Sequence, residues 1–134
     1  MSIGTWDPTG TAAAESGDIE PAILERLAAY SRAQQLEQLD ELISPQDSQR
    51  MAALMHIDHE RWHAAAAQLE DKQIIHLIRF FAMAENLPGW EAGDKSPVIP
   101  LAKVLRKRGY KLDRDLLLWL RQVNDNRFLP YGPL

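Results

Sequence analysis

Residues 56–63 read HIDHERWH, and within them His59, Glu60 and His63 form the pattern His-Glu-x-x-His. On an α-helix, side chains four apart lie on one face, about one turn from each other. Two imidazoles so placed can share one divalent ion, and Glu60 can then position and deprotonate a water bound to it, the chemistry of metal-assisted hydrolysis. His56 lies one turn earlier on the same side and extends the stripe. Asp58 and Glu60 supply further oxygen ligands nearby.

The five residues HERWH resemble the zinc signature of the zincin metallopeptidases. That resemblance implies zinc held by His59 and His63, Glu60 as the base and Glu85 as a third ligand. It covers five residues of 134. Arg61 departs from the pattern, which keeps both positions between the glutamate and the second histidine uncharged. The family fold also sets a β-sheet before the motif helix, and no segment here alternates as a strand must. Glu60-x-x-His63 is equally the ligand pair of di-iron carboxylate bundles, but those need a second such pair. The other helical histidine, His76, has Gln73 at that spacing. The residues therefore favour a polar flank beside an apolar stripe of Met51, Met55 and Trp62, with a zinc-dependent hydrolase as the alternative reading.

A second group of chemistry-bearing residues lies further on. Lys103, Arg106, Lys107, Arg108, Lys111 and Arg114 fall within twelve residues. On a helix over 98–108, Lys103, Arg106 and Lys107 share the face opposite Val98, Leu101 and Leu105. The charge of the whole chain makes this local excess stand out. Residues 1–94 carry 6 Lys and Arg against 16 Asp and Glu, whereas residues 95–134 carry 9 against 3. Several cations on one face raise the local potential together and attract an acidic partner. A protein surface suits it better than nucleic acid, since the chain as a whole carries a net charge of -4. No polar recognition helix is readable either. The absence of cysteine removes disulfides, thiolate metal sites and cysteine nucleophiles. No Gly-rich phosphate loop and no Gly-x-Ser-x-Gly are present.

The elements that must position these groups are helical. Residues 1–17 show no sustained period and read as a flexible lead-in, with Trp6 as its one docking residue and Asp18 as a cap. Ile23, Leu24, Leu27 and Tyr30 mark a helix; the apolar stripe then rotates at Leu36, Leu39 and Ile43, which predicts a break near Ala33-Gln34-Gln35. Ser44-Pro45-Gln46-Asp47 is a helix start, with Ser44 as N-cap and Pro45 in the first turn. The helix it opens is expected to run through HIDHERWH to Leu69. Asp71 caps "KQIIHLIRFFAMAEN", apolar nearly all round and so the buried centre of a bundle. Ser96-Pro97 opens the basic helix, Gly109 stops it, and Leu112-Asp113 opens the last. Trp90 and the tail residues Phe128, Leu129, Pro130 and Tyr131 are expected to close the core.

These signals predict an all-α, compact single domain over 18–134: five or six helices, Pro/Gly-rich turns and an irregular C-terminal tail. The chain is expected to be cytoplasmic, with no secretory leader and no apolar run long enough to span a membrane. The leading expectation for function is a non-enzymatic protein that binds an acidic macromolecule through Lys103, Arg106, Lys107, Lys111 and Arg114. That reading calls for no cofactor and is compatible with a homo-oligomer.

Overall fold

A computed structural model of the protein describes residues 19–124 and 126. The flexible lead-in, Trp6, the Asp18 cap and the aromatic tail expected from the sequence lie outside the described residues. Among the described residues seven α-helices run in chain order: α1 (Pro21–Arg32), α2 (Leu39–Leu42), α3 (Pro45–Met51), α4 (His59–Ala66), α5 (Asp71–Ala84), α6 (Val98–Lys107) and α7 (Arg114–Val123). Short 3-10 turns occupy Leu36–Gln38, Ala52–His56 and Gly93–Lys95. Among the described residues there is no strand, so the fold is all-α. No helix among them is long and apolar enough to cross a membrane.

α5 is the axis of the fold because its sequence leaves no polar face wide enough to meet water. From Gln73 to Glu85 every residue is buried or half-buried. α1 packs along one side of it and α6 along another, while α4 packs on α6. Aromatic rings fill the centre. Phe80 and Phe81 meet edge to face at 5.2 Å, Trp62 meets Phe81 at 5.2 Å, and Tyr30 stacks on Phe80 at 5.9 Å. Trp90, from the loop after α5, is fully buried and edge-on to Phe80. Its indole Nε1 donates to Ser48 Oγ at 2.9 Å, so the loop is fastened to α3.

Several local signals operate as their chemistry dictates. Ser44 Oγ accepts from the Asp47 backbone N–H at 3.1 Å, and Pro45 opens α3. Asp113 accepts from the Asp115 N–H and caps α7. α1 ends at Arg32, and Gln34 takes a left-handed φ of 59°. The Gln35 N–H then reaches back to Tyr30 O and the Gln34 N–H to Ser31 O, which closes the end of the helix. α6 ends the same way at Gly109, with φ 83° and a bond from the Tyr110 N–H to Leu105 O. Asp71 is the first helical residue of α5, and Glu70 occupies the cap position.

One expected helix is broken. The chain from Pro45 to Leu69 does not run as one rod: α3 passes into the 3-10 turn 52–56, and Ile57 and Asp58 are extended, with ψ 143° at each. The cause is packing. In a continuous helix Ile57 would point about 200° away from Met55, toward water. The extended pair instead brings both Met55 and Ile57 into the core. Asp58 then starts a new helix, its carbonyl accepting from Arg61 and Trp62 N–H. His56 is therefore exposed at the end of the preceding turn, not one helical turn before His59 on a shared face.

Candidate functional site

α4 is held down by Trp62 and Ala66, four apart and both buried. His59, at its first position, turns Nε2 inward, where that atom is buried without a hydrogen-bond partner. The rest of the ring lines a pocket of about 230 Å³ with Ile57, Asp58, Asp94 and Lys95. Glu60 and Arg61 are exposed. His63 is half-buried where α4 meets α6, and it lies within the field of that helix's cations. Burial holds its pKa below the ordinary imidazole value, and Lys107, Lys103 and His59 push it down further, against a smaller opposing pull from Glu60.

Glu85 serves a different structure. Its carboxylate is buried and accepts from Ser96 Oγ at 2.6 Å and from Asn126 Nδ2 at 2.9 Å. Ser96 Oγ also accepts from the Val98 N–H, while Asn126 donates to Gly93 O. Glu85 thus joins the end of α5, the loop before α6 and the chain after α7. Among the described residues, no group of three or more His, Asp or Glu side chains converges as a metal-holding set. His56, His59, His63 and Glu85 are not brought together.

Burial pushes the Glu85 pKa above its ordinary value of 4.5, with the Ser96 and Asn126 hydrogen bonds opposing the rise. The folded chain therefore holds this proton more tightly than the unfolded chain. Its contribution to stability is present in acid and is lost as pH rises from about 4.5 through the higher folded value. Glu85→Gln keeps a neutral, hydrogen-bonding group there. Urea unfolding across the acid range should show the variant gaining on the wild type as pH rises through that window. Parallel curves would contradict the assignment.

On α6, Lys103, Arg106 and Lys107 are all exposed, while Val98, Leu101, Ala102 and Leu105 are buried. Lys111 and Arg114, in and just after the connection to α7, are exposed as well. None of these five cations forms an ion pair or hydrogen bond among the described residues. Elsewhere Arg26 pairs with Asp47 at 3.1 Å and Arg32 with Glu25 at 2.6 Å. Arg108, part of the same basic run, is also spent internally. It bonds Asp71 at 2.8 Å and donates to the carbonyls of Ala66 and Ala67 at 3.0 and 3.3 Å.

Arg108 therefore caps the C-terminus of α4 from α6 and ties both to the start of α5. A cation there meets unpaired carbonyls at the negative end of a helix dipole. Arg108→Met, which keeps the apolar stem, should lower stability by about 1–2 kcal/mol. A loss below about 0.5 kcal/mol in urea melts would mean the bonds are replaced by water without cost.

The two sequence-level candidates, forty residues apart, thus form one surface. The histidine helix and the basic helix pack on each other, and Lys103 and Lys107 act electrostatically on His63. Sequence reasoning placed His63 with His59 and Glu60, which do act on it, and missed the two lysines of the other helix. No periodic signal links them, since the contact spans two helices. Comparison with protein-family models, with curated proteins and with solved structures found no match.

Proposed function

We propose that the protein acts by binding an acidic protein surface through the α4–α6 face. Lys103, Arg106 and Lys107 supply the contact charges, Lys111 and Arg114 extend it, and His63 borders it. The observation that carries this reading is that these five cations are exposed and, among the described residues, unpaired, in a chain with excess acid. Arg26, Arg32 and Arg108, by contrast, each hold a carboxylate. An exposed charge without an internal partner adds nothing to packing and remains available for a ligand.

A metal-dependent hydrolase gains no support from the same geometry. Two lysines beside His63 disfavour a cation as they disfavour a proton, and the candidate ligands do not converge. Nucleic acid fits less well than a protein patch. A long polyanion would extend from the basic face over a molecule of net charge -4, whereas a compact acidic patch meets the face alone.

The test is a titration of a labelled oligoglutamate peptide into the wild type and into Lys103→Glu/Arg106→Glu/Lys107→Glu, with duplex DNA as a second ligand. Peptide binding that weakens at least about tenfold in the variant is the expected result. Equal affinity for both proteins, or tighter binding of DNA than of peptide, would overturn the reading.

A further inference from the structure

On another side of the molecule, α1, α5, α7 and the 3-10 turn 36–38 line a half-open cavity of about 570 Å³. This lies within the roughly 300–1,000 Å³ of small-ligand sites. Its wall is divided. Leu36, Met83, Trp119 and Val123 supply apolar surface, and Ser31, Arg32, His76 and Arg79 supply polar groups.

The polar groups are prepared rather than spent. Ser31 Oγ lies 2.8 Å from His76 Nδ1, and the serine is buried. That bond fixes the ring and leaves Nε2 with no partner among the described residues. Arg79 sits over the Trp119 ring at 5.0 Å and makes no ion pair among the described residues. A cation over an indole face is attracted by the ring without using its N–H donors. Arg32 uses one nitrogen, Nη1, on Glu25. Burial keeps the His76 pKa below the ordinary value, and Arg32 and Arg79 lower it further, so both guanidiniums bear on the same ring. Among the described residues Glu37 is the one acid lining the cavity.

We propose that this cavity binds a small organic carboxylate carrying one apolar group, an aryl or branched alkyl. Arg79 takes the carboxylate edge-on, with Arg32 and the His76–Ser31 pair as further polar contacts. Leu36, Met83, Trp119 and Val123 cover the apolar group. An Arg–carboxylate pair is geometrically specific because two parallel N–H bonds can form at once. Catalysis by Ser31 is not part of the assignment. The two guanidiniums make His76 a poor base, and no carboxylate among the described residues orients its ring.

The site is independent of the α4–α6 face, and so is its test. A series of carboxylates from benzoate to indole-3-acetate, each with its neutral amide, is titrated into the full chain and followed by the Trp119 indole N–H resonance. At least one carboxylate should shift that resonance saturably, with its amide about tenfold or more weaker. Arg79→Gln should weaken the carboxylate by about ten- to a hundredfold, the worth of a charge-assisted hydrogen-bond pair. It should leave the amide unchanged, and Arg79→Lys should recover part of the loss. Amides binding as well as acids, no response from any member of the series, or equal affinity in Arg79→Gln would each overturn the assignment.

Discussion

Trp90→Ala should cost about 3–5 kcal/mol of folding stability. The indole is fully buried, packs edge-on against Phe80 and donates to Ser48, so truncation removes a large volume from the centre. It also leaves Ser48 Oγ without that partner. The residue sits in a loop rich in breakers, "LPGWEAGDKSP", where the chain cannot collapse along a helix to refill the space. A chain of this size has about 5–15 kcal/mol in total. The variant should therefore unfold at far lower urea, with no change in the charge-driven properties of the α4–α6 face. A loss below about 1.5 kcal/mol would mean that Trp90 is not a core residue.

The second large effect concerns binding. Reversing Lys103, Arg106 and Lys107 changes the charge of one helix face by six units, so attraction of an acidic peptide becomes repulsion. The loss should exceed about tenfold and fall mainly on the association rate, where exposed charges act. Salt supplies an independent check. Raising ionic strength from about 0.1 M to about 1 M shortens the screening length from about 10 Å to about 3 Å. Wild-type binding should collapse toward that of the variant, which changes little. Glutamates near the end of α6 also oppose its dipole by about 0.3–1 kcal/mol each. Lys103→Gln/Arg106→Gln/Lys107→Gln therefore accompanies the reversal: it should keep the wild-type melt and still lose most of the affinity. Undiminished binding in the glutamine variant would separate the peptide from this face.

Local chemistry was legible in the sequence where one or two residues decide the outcome. Ser44 caps α3, Gly109 ends α6, and the shifted apolar stripe foretold the end of α1 at Ala33-Gln34-Gln35. The all-apolar stretch after Asp71 is the central helix for the same reason. What sequence could not show depends on contacts between distant segments. Ile57 ends the run of helix before His59 because the core takes its side chain; the one local trace is Asp58, an N-cap residue type whose side chain makes no cap bond. Glu85 looked like a ligand at a suitable sequence distance. Its partners, Ser96 and Asn126, lie 11 and 41 residues away and follow no pattern. The cavity was missed likewise: Ser31 and His76 are 45 residues apart. One trace existed in the polar stripe of His76 and Arg79, three apart on an otherwise apolar helix.

His63 lies in the electrostatic field of α6, through Lys103 and Lys107. The direct measurement is the titration of the His63 ring by NMR in the wild type and in Lys103→Gln/Lys107→Gln. The wild-type pKa should lie below the ordinary imidazole value, and removing the two lysines should raise it. It should still fall short of that value, because burial is the larger cause. An unchanged His63 titration would show that the histidine and lysine helices do not form one surface.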